Sequence, residues 1–147
     1  MLKEITTFIE SQAGLTRDTN LFAGHRPQGT IDACDVVLET AGGSVFFNWA
    51  KRADLVIQVL SRAKSYFTAR ARAWAIYDAI YREHTVPDGL GTVHPSAGWR
   101  LPLDAEEVDK TYEIMIIEPL APPQYIGQDE KLRHEFSTNY LMKIVKL

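Results

Sequence analysis

Leu2, Ile5, Phe8 and Ile9 recur at helical spacing, with Lys3, Glu4 and Glu10 on the other side. The pattern predicts a first helix that ends near Gly14, where glycine can take the left-handed cap conformation. Asn20 to Gly24 reads as a short first strand stopped by Pro27. Asp35 to Thr40 reads as a second strand, ended by Gly42-Gly43. Leu55, Ile57 and Val59 then alternate with Val56, Gln58 and Leu60, a short β-branched run that predicts a third strand. The segment between these two strands, GGSVFFNWAKRAD, is long for a tight hairpin turn. It reads as a projecting β-arm or an ordered loop at about 43–53.

Ser65 is the expected N-cap of a second helix, alanine-rich from Tyr66 to Glu83. Ala69, Ala73, Ile76, Tyr77 and Ile80 share one face, with Trp74 and Tyr81 beside it. Small alanines let such a helix lie close on a sheet. The following segment, dense in glycine and proline, predicts an irregular loop at about 85–110. Tyr112 to Glu118 reads as a fourth strand ended by Pro119, and APPQYIGQDEKLR as a turn. From His134 to Val145, Phe136, Thr138, Tyr140 and Met142 alternate with Glu135, Ser137, Asn139 and Leu141, which predicts a long last strand. The expected class is α+β: one domain over 1–147, an antiparallel sheet flanked by two main helices.

Composition narrows the function more than the fold. A chain of 147 residues with 46% hydrophobic residues suits one globular domain. A net charge of -3 gives no electrostatic footprint for nucleic-acid binding. The single cysteine, Cys34, cannot form an internal disulfide, so a reducing compartment is expected. The amphipathic, charged N-terminus is unlike a signal peptide, and no apolar run suits a membrane span, so a cytoplasmic protein without membrane contact is expected.

Candidate chemistry is sparse. His25, His84, His94 and His134 lie far apart, without the spacing of zinc ligands, and read as surface or loop residues. Cys34 beside a strand reads as a small core residue rather than a nucleophile. Asp104, Glu106, Glu107 and Asp109 form an acidic turn without the spacing of a calcium motif. Pro122-Pro123-Gln124-Tyr125 matches a short peptide motif, but reads as a rigid turn whose tyrosine packs on the sheet. No catalytic residue, metal ligand or cofactor is expected. Phe46, Phe47 and Trp49 are the better candidates: on an arm they would anchor a subunit contact, and otherwise they fold back over their own sheet. Arg52, Arg62, Arg70 and Arg72 form either a solvated face or a set pairing with the 104–109 carboxylates of another subunit. The expected interface residues are therefore Phe46, Phe47, Trp49, Arg52, Arg70 and Arg72.

Three stretches carry a resemblance. Arg52 to Tyr81 reads R-A-D-L-V-I-Q-V-L-S-R-A-K-S-Y and runs on into A-I-Y-D-A-I-Y. Ile126 to Tyr140 reads I-G-Q-D-E-K-L-R-H-E-F-S-T-N-Y, and the opening helix is followed by G-L-T-R-D-T-N-L-F-A-G-H. Together they resemble the small bacteriophage minor capsid proteins related to tail terminators. In that family a strand ending in an Arg-Ala pair enters a helix, and a Gly-x-Asp-Glu turn leads to a strand with an F-S-x-N-like core. The motifs are turn-and-strand chemistry, and their order and spacing carry the likeness.

The resemblance implies a non-enzymatic virion protein at the head-tail junction, assembled in the host cytoplasm. Its implied partners are further copies of itself in a ring, typically a hexamer, the tail tube protein, and a head completion or neck protein. Double-stranded DNA would pass through the lumen without specific binding. A head-side stopper or connector belongs to the same structural class. A small hydrolase or nucleotide-binding protein, and an adaptor using the P-P-x-Y turn, stand as alternatives from other classes.

Overall fold

The clearest alternation in the chain, from His134 onward, becomes the centre of the fold. The computed structural model describes residues 2–25, 32–45, 52–81 and 112–146. The elements are α1 (Leu2–Ala13), β1 (Leu21–Ala23), β2 (Cys34–Val45), β3 (Arg52–Ala63), α2 (Tyr66–Tyr81), β4 (Tyr112–Pro119), β5 (Gln124–Gln128) and β6 (His134–Lys146). They form one six-stranded sheet in the order β1-β2-β3-β6-β4, with β5 also paired to β6. The architecture is mixed α and β, dominated by the sheet.

Both helices pack on one face. Ile5 and Ile9 of α1 and Ile76 and Ile80 of α2 meet Val37, Ile57, Val59, Tyr140 and Met142 of the sheet. Ala69 and Ala73 lie against Ala63 and Phe136, so the small residues bring α2 close to β3 and β6. β3 and β6 supply alternate residues to this face, as the pleat requires. The other face carries a smaller cluster of Phe22, Cys34 and Val36, with Leu38 and Leu60 against it. Gly14, at φ 66, ends α1 in the left-handed cap that its position predicts. At the start of α2, Ser65 Oγ accepts from the Thr68 backbone N–H at 3.4 Å, and Ser65 O accepts from that of Ala69 at 3.0 Å.

Four expectations need correction. The sheet is not wholly antiparallel, because β1 pairs in parallel with β2. A strand of three residues carries no pattern that shows its direction. β2 does not end at Gly42-Gly43 but continues to Val45, with register shifts after Glu39 and after Gly42. Bulges are where a strand tolerates glycine. β3 is twice the expected length, since Ser61 and Arg62, polar residues that hide a strand from periodicity, are buried within it.

The fourth correction concerns the proline segment. The stretch expected as a turn contains β5, and β4 and β5 lie along the same side of β6. They form one edge strand broken at 120–123, because Pro122 and Pro123 have no N–H to give the ladder. Of the arm expected at about 43–53, residues 43–45 and 52–53 belong to β2 and β3, with Val45 opposite Ala53. Residues 46–51, and the loop expected at 85–110, lie outside the described residues.

One buried ion pair ties α2 to the sheet edge. Asp35 of β2 is wholly buried and pairs with Arg72 of α2, whose Nη2 also donates to the Asn20 carbonyl at 3.4 Å. Burial lifts the Asp35 carboxyl above the usual range, and the Arg72 charge opposes that rise. Asp35 Oδ1 makes no full hydrogen bond, and Ser61 opposite it on β3 supplies only partial help. Removing one partner leaves a stranded buried charge, which costs far more than the pair itself contributes. Arg72→Met is therefore expected to destabilise the fold by about 3 kcal/mol in urea unfolding, and adding Asp35→Asn should recover part of the loss.

Candidate functional site

Among the described residues, most of the large apolar side chains that face water gather at one end of the sheet. That end is built from the start of α2, the last residues of β3, and the hairpin joining β5 to β6. Tyr66 and Phe67 open α2, Tyr125 comes from β5, and His134 and Phe136 open β6. Tyr66 is the hub: its ring centroid lies 5.6 Å from Phe67, 5.3 Å from Tyr125, 5.6 Å from His134 and 5.3 Å from Phe136. The near-perpendicular pairs use the favoured edge-to-face geometry of aromatic rings. Phe136 is buried beneath, whereas Phe67 is 80% exposed. His134 joins the cluster through polar contacts too, with Nδ1 3.1 Å from Tyr125 Oη and Nε2 3.1 Å from Gln128 Nε2.

The hairpin below this platform is held by a clamp of charges. Asp129 Oδ1 accepts from the backbone N–H of Lys131 at 2.9 Å and of Arg133 at 3.0 Å. Its Oδ2 accepts from Arg133 Nε at 2.7 Å and lies 3.6 Å from Arg62 Nη1 of β3. Burial alone would raise the Asp129 carboxyl, but the Arg133 and Lys131 donors outweigh it and hold the pKa at about 2. The turn also forces Leu132 to φ 58, a left-handed conformation that a leucine adopts at a cost, and leaves it 71% exposed. A strained apolar side chain at an exposed turn contributes nothing to the core and is suited to a partner.

The residues singled out from sequence do not converge. Phe46, Phe47 and Trp49 lie outside the described residues. Arg52 opens β3 at the opposite end of the sheet, and its side chain is likewise outside them. Arg70 is exposed on α2 with its guanidinium 5.8 Å from the Trp74 ring. Arg72 is committed to Asp35, and it walls a groove of about 600 Å³ between α1 and α2 that has Phe67 among its lining. Arg62 is buried in the clamp. The acidic segment 104–109 lies outside the described residues.

Tyr66, Phe67 and Leu132 were not singled out from sequence. Two aromatic residues directly after an N-cap, Tyr66 at the end of the Ala69–Ala73–Ile76–Ile80 face and Phe67 on the opposite side, are the signal that marks the first two. His134 begins β6, as the alternation from His134 to Val145 predicts, and is half-buried there. Tyr125 packs on the sheet edge through its ring contacts to Tyr66 and Phe136. Cys34 is fully buried, and that burial pushes its thiol up. Among the described residues no three His, Cys, Asp or Glu side chains converge as metal ligands, and no helix is long and apolar enough to cross a membrane.

No family model and no curated protein matches the chain. Among solved structures, a chain from the virion of a native gene transfer agent particle is similar in shape. It is 15% identical, the match covers 95% of this chain and 84% of that one, and the TM-score is 0.47.

Two outcomes follow from the hairpin. A carboxyl depressed in the folded state contributes stability above its unfolded pKa and loses it as pH falls through the folded one. Stability should therefore drop by roughly 2 kcal/mol between about pH 4 and pH 2, and Asp129→Asn should flatten that acid limb in urea titrations. Leu132→Gly relieves the left-handed leucine and should raise stability by about 1 kcal/mol, read as a higher urea midpoint.

Proposed function

We propose that this chain is a structural subunit of a tailed-phage-like virion, a tail terminator that closes a ring on the last ring of the tail tube. It acts by binding rather than by turnover and uses no cofactor. Its partners are other copies of itself, the tail tube protein and a head completion or neck protein, and double-stranded DNA passes through its lumen without specific contacts. It assembles in the host cytoplasm and ends in the virion.

One observation carries this reading. The two longest stretches that resemble the phage family, 52–81 and 126–140, meet at a single joint in the fold. The Arg-Ala pair closing β3 is Arg62-Ala63, and the Gly-x-Asp-Glu turn is Gly127 to Glu130; Arg62 lies against Asp129. The F-S-x-N run, Phe136 to Asn139, follows directly in β6 and pairs with β3 along its length. Motifs that are loose one by one thus form one physical unit, as they would if the likeness reflected a shared fold and not chance. Above that joint sits the aromatic end with exposed Phe67 and Leu132, the kind of apolar area that a subunit in an assembly buries.

Electron microscopy of particles made without this chain tests the reading. Overlong, unattached tails beside filled heads are the expected outcome. Tails of normal length that fail to join heads would move the chain to the head side of the neck. Normal particles would overturn the reading.

A further inference from the structure

Among the described residues the sheet is guarded in one half and open in the other. In the half near the hairpin, β1 covers Asp35 to Val37 of β2, and on the far side Pro122 and Pro123 interrupt the edge made by β4 and β5. Prolines and short covering strands are the usual protection of a sheet edge. Among the described residues the other half has neither device, and its edges are interrupted only by the register shifts of β2 after Glu39 and Gly42 and of β4 between Ile114 and Ile116. Its rows run Gly42–Leu55–Met142–Ile117 and Val45–Ala53–Ile144–Ile114, four strands wide from β2 to β4. Among the described residues no strand lies beyond β2 or beyond β4 at this level.

One backbone position on each edge can be placed facing outward. Asp35 N–H donates to Asn20 O, and Val37 O accepts from Gly24 N–H, so these residues turn their backbone toward β1. Glu39, two residues on, turns the same way past the end of β1. On the far side Leu120 N–H donates inward to Asn139 O, so alternation turns the backbone of Ile117 outward. The β2 segment, Glu-Thr-Ala-Gly-Gly-Ser-Val, contains no proline, lysine or arginine, and neither does β4 before Pro119.

We infer that a second copy of this chain adds to the sheet here, the open edge of β2 in one subunit pairing with β4 of the next. Direction favours this partner. β2, β3, β6 and β4 alternate in direction, so β4 runs opposite to β2. A neighbour in the same orientation therefore presents β2 antiparallel to β4, the more stable pairing, without being turned over. The two edges differ, so one contact consumes both and repeats head to tail. A contact of this kind closes into a ring when the rotation permits. A two-fold contact of β4 with β4 would leave every β2 edge open. The inference rests on the ring-forming role proposed above and gives that ring its contact.

Cross-linking of the purified full-length chain tests it. Thr40→Cys and Glu118→Cys place thiols on exposed positions of the two edges, and native Cys34 is buried and stays in place. With a short bis-maleimide, a mixture of the two single variants should give covalent dimers, neither alone should, and the double variant should give a ladder. Adding Glu39→Pro removes an outward N–H on the edge, where proline is tolerated. It should weaken the ladder roughly tenfold while circular dichroism stays unchanged. Dimers from Glu118→Cys alone, no dimer from the mixture, or a ladder indifferent to Glu39→Pro would each overturn the contact. Overlong tails without cross-links would sink this inference and spare the proposed function, and cross-links alongside normal particles would do the reverse.

Discussion

β6 is hydrogen-bonded on both sides along almost its whole length, and the other elements take their places from it. β3 follows it residue by residue from Ala63 opposite His134 to Arg52 opposite Val145. The other side is shared between β5 at its beginning and β4 at its end. A strand paired on both sides cannot slip by one residue without turning its entire apolar set to the wrong face. Tyr140 and Met142 are fully buried under the helices, so a slip would place them on the opposite face and strand polar neighbours in the core. That penalty fixes the register of β3, and β3 in turn fixes β2.

Charges complete what the apolar pattern leaves undetermined. The hydrophobic face of α2 sets its rotation but allows it to slide, since Ala69 and Ala73 are small and nearly interchangeable. Arg72 removes that freedom by engaging Asp35 and the Asn20 carbonyl, so α2, β2 and the turn before β1 are held at one point. Asp129 does the same for the hairpin, joining Arg133 in its own turn to Arg62 at the end of β3. Replacing both partners of a buried ion pair by apolar residues of similar size seldom lowers stability, although removing one partner does. The effect of the two pairs is to make one arrangement better than its neighbours.

The boundary between what the sequence showed and what it hid follows from this division. Both helices, the caps at Gly14 and Ser65, and the alternation of β6 rest on local patterns, and all were legible. β5 was not, because five residues, four of them exposed, beside two prolines carry no period; β6 alone makes them a strand. The length of β3 was masked by Ser61 and Arg62, whose burial is explained only by partners distant in sequence. The parallel placement of β1 depends on its pairing with Asp35 to Val37, which leaves no trace in three residues. The aromatic end is the instructive case: Tyr66, Phe67, Tyr125 and His134 are spread over some seventy positions, and only the closing of β6 against β3 and β5 brings them together.

The molecule is consequently polar along its strands. The aromatic platform, the Asp129 clamp and Leu132 lie at the end where β3 finishes and β6 begins, and the open edges of β2 and β4 lie toward the other. These two surfaces also differ in direction: the edges face sideways, in the plane of the sheet, and the platform faces along the strands. A subunit that makes lateral contacts through its edges would keep the platform free, at the same height in every copy, on one face of the ring. Such a ring has two unlike faces by construction, since head-to-tail contacts preserve the direction of each subunit. The proposed terminator ring needs that asymmetry, and an even number of alternating strands with an aromatic platform at one end would supply it.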